Sequence, residues 1–311
     1  MASPRPTAPT RFAGLDENGL GPRLGPLLVT ACALETRLPE EALAAVARRA
    51  RIEDSKARCA HGAMASVEAQ VLALLDVHRG LRPGTFDALL AALHHPSAED
   101  LRAPCPAGEA PRQCFSAPLA LPAFGPGPAE TDREAARSLQ REGVAWVYAR
   151  ASVVCAGRLN AARARGQSRF DVDLSRMLDL VAEASRACGA LDVTCGRVGG
   201  RADYLPALTG RFALAQELER SPRCSRYRVP GVGAVAWRVD ADATHPAVAL
   251  ASMVGKYLRE LWMERQHRYY ALAVDGLGRA SGYHDPVTAR WVEATRLVRA
   301  QRGIDGACFE R

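Results

Sequence analysis

The chain has 311 residues, with 41 basic and 34 acidic side chains and a formal charge of +7. No apolar run reaches the ~18 residues that a membrane-spanning helix needs, and 48% hydrophobic residues suit a globular protein with a core of its own. Nine scattered cysteines, odd in number and without a Cys-x-x-Cys pair, argue against a zinc ribbon or a disulfide framework and point to a reducing cytoplasm.

Residues 1–10 are rich in proline and lack an apolar h-region, so they are expected to be a disordered lead-in and not a secretory signal. Residues 14–34 read as two strands joined by a turn crowded with glycine and proline. Asp16 and Glu17 stand side by side at the end of the first strand, with Gly14, Gly19, Gly21 and Gly25 around them. Glycines there let a second backbone, such as a nucleic-acid strand, come close. Residues 39–51 are alanine-rich with helical spacing, Asp54-Ser55-Lys56 starts a new segment, and residues 64–77 form an amphipathic helix. From about 81 to 130 prolines interrupt every pattern, and this stretch is expected to be an irregular surface insertion.

Regularity returns at residues 143–155, a β-rich run. Asp171-Val172-Asp173 then opens a helix whose Leu174, Met177, Leu178 and Val181 share one face, and Gly189 suits its C-terminal cap. A short strand, residues 190–193, follows at once, as in a strand–helix–strand crossover. Residues 211–218 suggest another helix, and residues 232–239 alternate around Trp237 as a strand. That strand runs into Asp240-Ala241-Asp242, and Pro246 suits the first turn of a long helix reaching about Tyr270. A final helix is expected over residues 289–299.

Asp16-Glu17, Asp192 and Asp242 each stand at or just past a predicted strand end, where active sites gather in open α/β sheets. Four carboxylates could not meet ionised without a counter-charge. A pair of divalent cations supplies one, and oxygen ligands at that density suit Mg²⁺ or Mn²⁺. Two such ions about 4 Å apart suit in-line attack of water on a phosphodiester. The excess of arginine fits a polyanionic partner. Cys195 has no partnering histidine nearby in sequence and reads as a packing thiol.

The stretch Gly14-Leu15-Asp16-Glu17-Asn18-Gly19-Leu20-Gly21-Pro22 with Gly25-Pro26-Leu27 resembles the opening motif of the type 2 ribonucleases H. Asp54-Ser55-Lys56 is similar to the family's Asp-Ser-Lys. Asp242 to Val248 with Ala251-Ser252-Met253-Val254-Gly255-Lys256 and Arg259-Glu260 is similar to its Lys-Ala-Asp…Ala-Ala-Ser-Ile-x-Ala-Lys…Arg-Asp block. Ser281-Gly282-Tyr283 with Asp285-Pro286-Val287-Thr288 resembles the Ser-Gly-Tyr-Pro…Asp-Pro-x-Thr of archaeal and eukaryotic members. Leu20 stands where the family has a basic residue, and the His-Arg-x-Ser-Phe block of bacterial members is not recognisable near Phe309.

The resemblance implies an α/β fold, a ribonuclease H-like mixed five-stranded sheet flanked by helices with a C-terminal helical extension, over residues 11–311. It implies Asp16, Glu17, Asp192 and Asp242 as ligands of two Mg²⁺ or Mn²⁺ ions and as the catalytic acids. Gly19, Leu20 and Gly21 would present backbone to the substrate, Tyr283 would pack against the ribose that carries the 2′-hydroxyl, and Lys56 and Lys256 would contact phosphate or hold carboxylates in place. The implied activity is endonucleolytic cleavage of RNA in RNA–DNA hybrids, or at ribonucleotides in duplex DNA, leaving 5′-phosphate and 3′-hydroxyl ends. That activity belongs to DNA replication and repair, and a monomer without an obligate protein partner or membrane is implied. The alternative is a re-specialised or non-catalytic nucleic-acid-binding relative.

Overall fold

Strand β1 (Thr10–Asn18) and strand β2 (Leu27–Thr36) pair antiparallel over their full lengths, with Thr10 opposite Thr36 and Asn18 opposite Leu28. Strand β3 (Ala145–Val154) adds to the far side of β2, also antiparallel. On the other side of β1 lies strand β4 (Leu191–Gly196), parallel to it, and then strand β7 (Gly233–Arg238), parallel to β4. A hairpin of strand β5 (Gln216–Arg220) and strand β6 (Cys224–Val229) completes a mixed seven-stranded sheet in the order β3-β2-β1-β4-β7-β6-β5. This computed structural model describes residues 8–53, 64–103, 105, 113–115 and 117–311. Asp54, Ser55 and Lys56 lie outside the described residues, as does most of the lead-in.

The sheet thus has two strands more than the expected five. The extra hairpin falls where residues 211–218 suggested a helix, and the true helix ends just before it. Every residue of β5 is exposed, and its Glu217, Glu219 and Arg220 give it the charged surface of a protected sheet edge.

Helices cover both faces. The described helices, in chain order, are α1 (Glu40–Arg49), α2 (Met64–Arg79), α3 (Phe86–Leu93), α4 (Ala98–Arg102), α5 (Glu130–Arg141), α6 (Ala156–Ala164), α7 (Arg169–Cys188), α8 (Leu205–Arg211), α9 (Ala241–Thr244), α10 (Pro246–Ala271), α11 (Pro286–Ala294), α12 (Arg296–Gln301) and α13 (Gly306–Phe309). Among the described residues no helix is long and apolar enough to cross a membrane. Helix α10 lies on one face against β1 and β2, and α7 lies on the other. Two glycines allow α10 its close approach. A Cβ on Gly14 would stand 2.1 Å from the backbone of Ala247, and one on Gly255 would stand 2.0 Å from the Asn18 side chain. Helix α7 begins with a reciprocal cap, in which the Ser168 hydroxyl accepts from the Asp171 amide and the Asp171 carboxylate accepts from the Ser168 amide. It ends at Gly189 in the left-handed region, at φ 80°.

The stretch 81–130 is tied to the core more firmly than its prolines suggest. Phe86, Leu89, Leu90 and Leu93 of α3 are buried with Trp262 of α10, and the Phe86 and Trp262 rings meet edge to face at 6.0 Å. The buried Arg265 guanidinium of α10 meets Asp87 at 3.1 Å. The Glu68 carboxylate of α2 accepts from the backbone amides of Ala123, Phe124 and Gly125 at 2.6, 2.7 and 3.1 Å.

Candidate active site

The parallel strands β1, β4 and β7 end at one edge of the sheet. Leu15 of β1 is level with Cys195 of β4, and Cys195 with Trp237 of β7. One residue further, Asp16 stands beside Gly196. A Cβ placed on Gly196 would lie 2.9 Å from Asp16 Oδ1 and 3.5 Å from Glu17 Oε2. The two carboxylates therefore face one backbone position at the end of β4, and that position carries no side chain.

Asp242 approaches the same edge from β7. The chain leaves β7 at Arg238, turns through Asp240 in the left-handed region at φ 53°, and enters α9, which packs against β4. The Asp242 side chain is buried there.

Asp192 does not join them. It is the second residue of β4, level with Phe12 and Ala234. Four residues of strand separate it from Gly196, roughly 13 Å at the usual rise. Its side chain is 41% exposed and meets Arg226 of β6 at 3.7 Å. The expected strand, residues 190–193, in fact runs on to Gly196, so Asp192 marks the start of the strand and not its end.

A further buried carboxylate lies in the helix that packs against β1 and β4. Asp173 lies five residues after the Ser168 cap, one turn before Met177 on the stripe of α7 that faces the sheet. It has no exposed surface. Neither of its oxygens has a hydrogen-bond partner among the described residues. Burial, and then the charge of Asp16, push its carboxyl far above the usual carboxylate range. Burial first, then the charges of Asp173 and Asp16, likewise raise the Cys195 thiol, which is therefore inert as a nucleophile.

Among the described residues no group of three or more His, Cys, Asp or Glu side chains is gathered closely enough to hold a metal ion as they stand. The donors nonetheless fit a hard divalent cation. Asp16 and Glu17 offer oxygens toward one point, and Asp173 brings a buried carboxylate with no donor to satisfy it. Mutual repulsion keeps such groups apart, and a cation between them reverses its sign.

The Gly19–Gly21 loop continues from Glu17 along this edge. Gly19 is in the left-handed region at φ 88°, and Gly21 has nothing near it that a side chain would meet. The Leu20 side chain turns inward to a small apolar cluster of Leu27, Val154, Leu159, Ala162 and Val172. Arginines from elsewhere surround the loop. Arg169 of α7 donates to the Leu20 carbonyl at 3.0 Å and Arg311 to the Gly19 carbonyl at 2.6 Å. Burial, reinforced by the positive charges of Arg259 and Arg169, lowers the Arg311 guanidinium to about 10. Tyr283 is half exposed, and the buried Arg259 guanidinium sits 5.0 Å from its ring centre. Arg259 also donates to the Ser281 carbonyl, and the Gly282 carbonyl accepts from the amides of Arg23 and Leu24. Asp285 accepts from the Thr288 amide and the Ser281 hydroxyl and so caps α11. Lys256 is part-buried on α10, one residue after the Gly255 that meets Asn18.

Neither a protein-family model nor a curated protein matches the sequence. Solved structures do match in fold. Bst-RNase HIII in complex with Mn²⁺ aligns at a TM-score of 0.50 and 14% identity, over 97% of this chain and 66% of that one. Ribonuclease H2 from Pyrococcus horikoshii aligns at 0.49 and 15%, over 96% and 92%. RNase HII of Archaeoglobus fulgidus, solved as a complex with PCNA, aligns at 0.48 and 16%, over 96% and 92%. With its mixed sheet, its helices on both faces and its C-terminal helices, this chain has the fold of the type 2 ribonucleases H.

Proposed function

We propose that the protein is a metal-dependent endoribonuclease that cuts the RNA strand of RNA–DNA hybrids, or duplex DNA at embedded ribonucleotides. The observation that carries the reading is the meeting of Asp16 and Glu17 at the end of β4, with the buried Asp242 and Asp173 at the same edge and the exposed Gly21 beside them. Asp16 and Glu17, with Asp242, would hold Mg²⁺ or Mn²⁺. The bound cation would lower the pKa of water and stabilise charge on the leaving 3′-oxygen.

The chain's own residues do the rest. The Gly19–Gly21 loop would approach the sugar of the cut nucleotide at the exposed Gly21, where no neighbouring side chain stands in the way. Tyr283, braced by Arg259, gives a flat surface for the ribose, whose 2′-hydroxyl distinguishes RNA from DNA. Leu20 has no charge to contribute, but Arg169 and Arg311 restore positive charge around its backbone. Asp192 has no part in this reading.

A duplex with one ribonucleotide, a longer RNA–DNA hybrid and plain DNA, each with Mn²⁺ or Mg²⁺, make the test. Cleavage of the first two to 5′-phosphate and 3′-hydroxyl ends is expected, and plain DNA should stay whole. Equal cutting of plain DNA would defeat the role of Tyr283.

The missing side chain at Gly196 and the inward Leu20 favour a second reading, a hybrid-binding protein that does not cut. Tight binding of the hybrid with no cleavage in either metal would establish it.

A further inference from the structure

We propose that Asp173 is a metal ligand, supplied by helix α7 to take the place of a carboxylate that strand β4 does not offer at Cys195, its end residue on the face that α7 covers. The inference rests on the metal-dependent nuclease reading and adds to it a residue that no motif in the sequence marks.

Topology puts Asp173 at the right edge. The start of β2 lies level with the end of β1, and β3 ends opposite the start of β2, at Val154 and Leu27. The chain leaves β3 there, passes through α6, and begins α7 at that same edge before running back to the start of β4. The first turns of α7 therefore lie beside Asp16, and the helix packs against both β1 and β4. Asp173 continues the buried row of Met177, Val181 and Ala184, which packs with Leu15, Val193 and Cys195. Its side chain therefore projects toward the sheet and not into solvent.

A bound cation gives this buried carboxyl a partner. A carboxylate with no exposed surface and no donor is costly to bury, and packing alone would favour an apolar residue at this point of the stripe. Asp16, at the end of β1 on which α7 packs, is itself a carboxylate and supplies no positive charge. A divalent ion held by Asp16, Glu17 and Asp173 offsets two of their three charges and is attracted by all of them, and an all-oxygen set selects Mg²⁺ or Mn²⁺ over zinc. Cys195 fits the same account. It packs with the α7 row and carries a buried thiol where a carboxylate from the strand would stand, so strand and helix are alternative sources of one ligand.

Mn²⁺ binding to the full-length protein, followed by calorimetry and by the electron paramagnetic resonance of free Mn²⁺, tests this without reference to activity. Asp173→Asn should weaken binding by at least ~10- to 100-fold, a loss no smaller than that expected for an outer-shell partner. Asp192→Asn should bind as the parent does. Adding Cys195→Asp to Asp173→Asn should recover binding, because it returns the carboxylate from the strand side on the same face. In EDTA, Asp173→Asn should melt no lower than the parent, since it removes a buried unpaired charge. Unchanged Mn²⁺ affinity in Asp173→Asn would overturn the proposal, and so would a lower melting temperature in EDTA without recovery by Cys195→Asp. If Asp16→Asn lost Mn²⁺ while Asp173→Asn kept it, the nuclease reading would stand and this inference alone would fall. A parent protein that binds no Mn²⁺ would end both.

Discussion

Glu68 and Asp173 are both carboxylates with no exposed surface, one on each side of the sheet, and their surroundings treat them in opposite ways. Glu68 accepts from three successive backbone amides and from the Tyr257 hydroxyl at 2.9 Å. Its oxygens are occupied, and its work is to pin the 123–125 turn to α2 and α10. Asp173 accepts from nothing among the described residues and lies near Asp16. Burial alone therefore does not separate structure from function. The supply of donors does, because a protein that needs a buried charge only for its fold surrounds it with donors.

The largest effect that sharpens this contrast is on stability. Glu68→Ala leaves three amides and a hydroxyl without their acceptor, and should cost about 3–5 kcal/mol by urea unfolding. It should leave the Mn²⁺ affinity of the surviving folded fraction unchanged. If it cost less than about 1 kcal/mol, the donors around Glu68 would not be the distinguishing feature. On the functional side, Asp16→Asn should reduce cleavage of a ribonucleotide-containing duplex at least ~10³-fold, about 4 kcal/mol of barrier, with little change in folding. Wild-type cleavage by this variant would refute the metal site.

Buried bases give the converse case. Burial chiefly lowers His94 and His245 to about 4, and the His94 Nδ1 accepts from the Val153 amide. In the unfolded chain these histidines titrate near 6.5, so between the two values the unfolded state binds more protons. Their contribution to stability is complete above about pH 6.5 and is lost as pH falls toward 4, on the order of 2–3 kcal/mol each. Thermal melting across that range should show the loss, and His94→Gln should flatten it. The smallest effect belongs to Asp192, an exposed acid in a surface ion pair. Asp192→Asn should change stability by less than about 0.5 kcal/mol and leave hybrid cleavage untouched. A large loss of cleavage would return Asp192 to the site.

Much of the fold could be read in advance from local chemistry. The acidic end of β1, its glycine turn and β2 follow from the residues themselves, as do the cap and glycine stop of α7 and the proline start of α10. The β5–β6 hairpin could not be. Its Glu217, Leu218, Glu219 and Arg220 are good helix formers, and only pairing with β6, itself held by β7, makes them a strand. The stretch 81–130 misled for a related reason. Prolines mark breaks in secondary structure, but they say nothing about Glu68 and Arg265, distant residues that tie the stretch down.

The site was half legible. Asp16, Glu17 and Asp242 lie where motif order puts them. Asp192 was misplaced because Cys195-Gly196 does not look like strand, so β4 seemed to end three residues early. Asp173 was hidden because an acid near a helix start is ordinarily a solvated partner of the helix dipole, as Asp171 is here. Only the crossover from β3 to β4 shows that two residues later the helix has turned its acid beneath the sheet.

The most direct measurement is the anomalous scattering of Mn²⁺ in crystals of the protein soaked with the ion and measured at the manganese absorption edge. A peak bounded by the carboxylates of Asp16, Glu17 and Asp173, beside Gly196, is the result this account predicts. A peak at Asp192, or none at that edge of the sheet under saturating Mn²⁺, would contradict it.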